Sequence, residues 1–146
     1  MINQKVEYRR NTSKVVNIIV NNSFSYNYSA DDIIKIQSEK IKSIIDMEKE
    51  GYKTNLYLFM GVNMQRTNRM LDSICLCVKI KDSNDYLNLA RLSFPLCHPS
   101  MLRRIFFKFT EIEVHKKYRK GYGFAITSNE DIKEVLKNKV HIDYIM

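Results

Sequence analysis

Three oxygen-bearing side chains stand at alternate positions where an apolar run gives way to a helix start. They are Asn21, Ser23 and Ser25, inside the stretch "VVNIIVNNSFSYNYSADD". A strand that ends in Asn-x-Ser-x-Ser just before a helix is where some α/β folds gather a metal or ligand. A hard divalent cation asks for anionic oxygen, and the leading residue here is an amide. The other use of these residues is structural, with Asn and Ser side chains bonding backbone groups as the strand leaves the sheet. Sulfur and imidazole offer a second chemistry. Cys75-x-Cys77 with Cys97-His98 supplies zinc-ligand types, but small apolar residues under a helix are the simpler reading. Cys97 paired with His115 or His141 would be a thiol nucleophile and base, and no orienting carboxylate accompanies them. The chain has no Gly-rich phosphate loop and no Gly-x-Ser-x-Gly elbow, so nucleotide hydrolysis and esterase chemistry find no support.

Charge opens a third possibility. The chain carries 24 Lys+Arg against 16 Asp+Glu, a net charge of +8. In "HPSMLRRIFFKF", Arg103, Arg104 and Lys108 interleave with Phe106, Phe107 and Phe109, a composition that can hold single-stranded nucleic acid. Core aromatics on a strand, with the arginines capping the short helix before it, explain the same residues more simply. The densest basic run, "HKKYRK" at His115–Lys120, reads as a solvated loop.

These residues need a scaffold, and 146 residues with 45% hydrophobic content suit one globular domain with its own core. Val15–Val20 is apolar on both faces apart from Asn17, as a central strand covered on both sides should be. Ser29 with Asp32 forms a near capping box. From Ala30 to Glu50 an Ile33, Ile34, Ile41, Ile44, Ile45 stripe defines an amphipathic helix ending at Gly51. Thr54–Met60 and Leu71–Lys81 follow as an antiparallel hairpin. In the second strand Ile74, Leu76, Val78 and Ile80 face the core, and Cys75, Cys77, Lys79 and Lys81 face a wetter side. A short helix in "NDYLNLARLSF" should stop at Pro95, and Pro99 can open another at "PSMLRR". "RIFFKFTEIE" reads as a strand, Asn129–Lys137 as a helix, and "VHIDYIM" as a closing strand. The order β-α-β-β-α-β-α-β predicts a mostly parallel sheet with helices on both faces and one antiparallel edge hairpin. Val15–Val20 should lie between Thr54–Met60 and Ile105–Phe109. Ligands of such sheets bind at the carboxyl ends of strands, where Asn21–Ser25 would lie.

This order, with its Asn-x-Ser-x-Ser stretch, resembles the von Willebrand factor A-like fold, a three-layer sandwich. More narrowly, the chain from about Lys14 to Tyr144 is similar to a family of uncharacterised proteins of tailed bacteriophages and prophages. The shared landmarks are "VNIIVNNSFSYNYSADDII", "EGYKTNLYL", "ICLCVKIKDSNDYLNLARLSF" and, most specific, "LCHPSMLRRIFF". Family members usually carry an additional N-terminal region; here residues 1–13 form a short lead-in. In the von Willebrand A-like pattern an Asp-x-Ser-x-Ser motif, a Thr and a second Asp surround a divalent cation. Carried over, the resemblance places Asn21, Ser23 and Ser25 at the first motif. Ser83 and Asp85 stand near the second element, and Thr110-Glu111 where the fourth strand should end in Asp. This degenerate set leads us to expect no bound metal and no cofactor. The reading is a phage- or prophage-derived, non-enzymatic protein-binding or self-associating module, acting in virion assembly or against a host defence system. A basic nucleic-acid-binding protein is the alternative. The absence of an apolar leader in "MINQKVEYRR" and of any run of membrane-spanning length suggests the host cytoplasm, with reduced thiols. Contact surfaces should be the strand-end loop around Asn27, "GVNMQRTNR" with Arg66 and Arg69, and "HKKYRKGYG" with Lys116, Lys117, Arg119 and Lys120.

Overall fold

The structure is a computed structural model that describes residues 14–65, 71–114 and 123–146. The twofold apolarity of the first run is realised in β1 (Val15–Asn21), which pairs in parallel with β2 (Lys53–Gln65) from Val15↔Lys53 to Asn21↔Phe59. Val16, Ile18 and Val20 point into one core and Ile19 into another, all of them buried. β2 runs on past the end of β1 and pairs antiparallel with β3 (Leu71–Lys81). Beyond the end of β1, a two-residue strand β4 (Phe124–Ala125) pairs antiparallel with Val62 and Asn63 of β2.

The other neighbour of β1 is β5 (Tyr144–Ile145), paired in parallel at Ile18↔Tyr144 and Ile19↔Ile145. Among the described residues the sheet therefore reads β3-β2-β1-β5, with β4 added to β2. This corrects the expectation that Ile105–Phe109 flanks β1. That stretch is helical, a π-helix over Met101–Phe106 followed by α3 (Phe107–Val114). Its buried residues Leu102, Phe106 and Thr110 recur every four positions. A short apolar run carries both periods, and here the helical one is realised.

The crossover from β1 to β2 is α1 (Ala30–Lys49). Its start is a capping box: the Asp32 N–H donates to Ser29 Oγ, and the Ser29 N–H donates to the Asp32 carboxylate. Its end is a Schellman turn, with Gly51 N–H on Glu48 O, Tyr52 N–H on Met47 O, and Gly51 at φ +99°. The buried face is Ile33, Gln37 and Ile44, with Ile41 and Met47 packed beside them. Ile34, expected on that stripe, is 43% exposed, and Gln37 takes the inward position. One further correction concerns β3. A bulge where Leu56 faces Lys81 and Tyr57 faces Lys79 turns Lys81 inward, although strict alternation puts it on the wetter face. Its ammonium bonds Glu48 Oε1 at 2.8 Å and Thr54 O at 3.0 Å, which is why burial is tolerated.

α2 (Leu89–Cys97) starts on Asn88 and runs two residues past Pro95, because burying Leu96 outweighs the mild strain of a proline in the last turn. α2, α1 and the π-helix cover one face of the sheet through Leu92, Leu96, Ile44, Leu102 and Phe106. On the other face Ile19 and Phe59 meet Ile126 and, from α4 (Asn129–Leu136), Ile132 and Leu136. No helix among the described residues is long and apolar enough to cross a membrane.

Candidate functional site

At the exit of β1 the backbone stays paired for two residues after the last apolar side chain. Asn21 N–H reaches Met146 O at 2.8 Å, and Asn22 N–H reaches Phe59 O at 2.8 Å. The side chains then take over. Asn21 Nδ2 donates to Ile126 O at 3.1 Å, and Asn21 Oδ1 accepts the Ser23 N–H at 2.9 Å. Ser23, 5% exposed, accepts the Gly61 N–H on its Oγ at 2.8 Å. Gln37 Nε2 donates to Asn22 Oδ1 at 3.1 Å. Lys40 Nζ caps the Asn21 carbonyl at 2.8 Å and lies 5.7 Å from the Phe24 ring centroid. Burial lowers the Lys40 pKa to about 8, because the protein around it replaces little of the lost hydration.

The Asn-x-Ser-x-Ser oxygens at Asn21 and Ser23 are thus engaged in holding backbone, and Ser23 and Ser25 both border open space. The structure does not bring the remaining candidates to them. Asp85 follows β3, whose last residue faces Leu56 near the start of β2, so it lies at the opposite end of the sheet. That is about one strand length away, roughly 20 Å. There its carboxylate accepts the Asp82 N–H at 3.2 Å. Glu111 is on α3 rather than at a strand end, with Lys108 Nζ at 3.5 Å. Asn27 sits on the exposed turn before α1, edging a depression with Tyr28, Asp32 and Lys35. Arg66, Arg69, Lys116, Lys117, Arg119 and Lys120 lie outside the described residues, as does His115.

What the sequence did not reveal is a cleft of about 740 Å³ in front of the strand end. Ser23–Tyr26 form one side, Gly61 and Val62 of β2 the floor, and Gly123–Ala125 another side. The last wall is Leu102, Arg103 and Phe107, a spacing of one and five residues that the wider π-turn brings to one side. Two glycines make the closure possible. A Cβ on Gly61 would stand 2.8 Å from the Phe59 ring and 2.9 Å from Ile126 Cδ1. Gly123, at φ +73°, would put one 2.5 Å from Asn63 O. Tyr26 and Phe124 stand at the rim, 96% and 75% exposed. Arg103 is the one charged residue among the described residues of this lining, and its Nη2 donates to Tyr28 O at 2.7 Å. The arginine thus ties the π-helix to the strand-end loop rather than capping carbonyls of its own turn.

The sulfur constellation is separated by the sheet. Cys75 and Cys77 pack towards α4, whereas Cys97 packs in the core on the other face. Burial pushes Cys77 up to about 11 and raises Cys75 and Cys97, so all three are thiols rather than nucleophilic thiolates at neutral pH. His98 Nδ1 accepts the Ser100 N–H, and His141 pairs with Asp143 at 3.2 Å. No group of three or more His, Cys, Asp or Glu that could hold a metal occurs among the described residues.

A family model described as a domain of unknown function, DUF7192, matches residues 1–145, and the chain belongs to that family. None of the curated proteins and none of the solved structures compared with the chain matches it.

Proposed function

We propose that this DUF7192 member is a non-enzymatic protein-binding module and that the strand-end cleft is its contact surface. The observation that carries the reading is the cleft itself: an apolar trough rimmed by the exposed rings of Tyr26 and Phe124. Contiguous apolar surface with aromatic edges is what protein interfaces place at their centres. The polar groups beneath it support the same reading. Asn21, Asn22, Ser23 and Gln37 form a hydrogen-bonded network at the strand end that fixes the trough, and among the described residues no nucleophile, base and orienting group align along it. The partner class is a segment of another protein presenting an apolar anchor side chain. The finer fold reading, a von Willebrand A-like three-layer sandwich with a degenerate metal motif, is supported by the strand-end Asn-x-Ser-x-Ser before α1. The phage or prophage origin, action in the host cytoplasm, and a role in virion assembly or against host defence rest on the sequence landmarks.

Nucleic acid is the second reading, resting on the net charge of +8. Selecting a displayed random-peptide library on the immobilised protein, in parallel with a labelled single-stranded oligonucleotide titrated at low and high salt, separates the two. The protein-binding reading expects enriched peptides sharing an aromatic or aliphatic anchor and no salt-dependent oligonucleotide shift. A lack of enrichment, with oligonucleotide affinity falling steeply with salt, would replace it.

A further inference from the structure

We infer that β3 is a docking edge for a second copy of this chain, the two β3 strands pairing antiparallel about a two-fold axis at Leu76. Among the described residues β3 has a single strand neighbour, β2, along its 11-residue length. Which of its backbone groups are unsatisfied follows from β2. The Gly61 N–H and C=O are engaged by Ser23 and by the Ile126 N–H, and the Phe59 C=O accepts the Asn22 N–H. Those β2 groups therefore point away from β3. Their opposite numbers, Cys75 and Cys77, are non-hydrogen-bonded pairs whose own N–H and C=O face the free edge. By the same alternation Ser73 and Lys79 face outward too.

The edge carries little of what usually prevents sheet extension. No charged residue occurs between Ser73 and Val78, and the bulge and Lys79 lie only at its far end. The sequence is close to a palindrome about Leu76, Ser-Ile-Cys-Leu-Cys-Val-Lys. Two-fold pairing sets Ile74 opposite Val78 of the partner subunit, Leu76 opposite Leu76 of the partner subunit, and Cys75 opposite Cys77 of the partner subunit. Val78, 40% exposed, and the half-buried Ile74 and Leu76 gain cover on one face. Charge does not oppose the contact. The two Lys79 ammonium groups fall at opposite ends of the ladder, six residues or about 20 Å apart, beyond a Debye length at physiological salt. Area sets the strength. A seven-residue ladder buries roughly 1,000 Å², at the small end of specific interfaces, so the dimer forms in a concentration-dependent way.

This edge is a second site, distinct from the cleft, and the two readings fail separately: the edge by sedimentation, the cleft by peptide binding. Sedimentation velocity over a range of protein concentrations should show a monomer passing to a dimer and no further. Val78→Lys places a cation opposite Ile74 of the partner subunit. Cys77→Pro deletes an outward-facing N–H without breaking a β2 bond. Each should weaken association at least tenfold while the protein still melts cooperatively. Mild oxidation of the Cys97→Ser protein should give a dimer band, and Cys75→Ser should remove it, since Cys75 faces Cys77 of the partner subunit. A monomer at every concentration, a dimer indifferent to both edge variants, open-ended growth, or a crosslink that survives Cys75→Ser would overturn the inference.

Discussion

Ser23 and Ser25 look equivalent in sequence and are not equivalent in the folded chain. Ser23 Oγ satisfies the buried Gly61 N–H, whereas Ser25 opens on the cleft. Ser23→Ala should therefore cost about 1–3 kcal/mol, the range for a buried donor left unpaired, and Ser25→Ala should stay within about 0.5 kcal/mol. Urea denaturation of the two variants checks this. Lys40 gives a test with a defined sign. Its folded pKa of about 8 lies below its ordinary 10.5, so below pH 8 the folded state bears the burial penalty of a cation that the unfolded state solvates. Between pH 8 and 10.5 the folded state gives up its proton first and the penalty fades. Lys40→Met should accordingly raise the melting temperature relative to wild type at pH 7, with the difference shrinking towards pH 10. A difference constant with pH would remove Lys40 from the account. At this scale the sequence showed that Asn21, Ser23 and Ser25 gather where a strand exits. It did not show their partners, because Gly61 and Ile126 are remote in the chain and come close only through β2 and the segment after β4.

Elements with one strong period were legible and elements with two were not. β1, α1 and the β2–β3 hairpin follow from two-sided apolarity, a capping box with a terminal glycine, and alternation. Within α1 the stripe was misplaced at Ile34, which lies about 100° round the helix from the buried Ile33 and is 43% exposed. Ile44→Asp should thus destabilise by several kcal/mol as an unpaired buried charge, and Ile34→Asp should move the melting transition little. Equal effects would refute the assigned face. "RIFFKFTEIE" read as a strand because apolar residues are dense enough there to satisfy either period. Its helical burial at Leu102, Phe106 and Thr110 is a tertiary outcome, and so is the cleft wall built on it. The inward turn of Lys81 was equally hidden, since a bulge leaves no mark in a strand of near-uniform alternation.

For the molecule as a whole, the sheet has a core on each face and a cleft where β2 outruns β1, and Arg103 is the sole charged residue among the described residues of the cleft lining. Phe124→Asp, at an exposed rim position, should leave the melting temperature within a degree or two and lower the affinity of a cleft-binding peptide at least tenfold. Titration calorimetry with a peptide enriched by selection reads that change directly. The account's central claim is that recognition occurs at this strand end, and amide chemical-shift mapping of the ¹⁵N-labelled protein with that same peptide tests it most directly. The account predicts that the amides of Ser23–Tyr26, Leu102–Phe107 and Gly123–Ala125 shift together in a saturable way, while those of β3 and α4 stay in place. Saturable shifts confined to surfaces away from the cleft would contradict it.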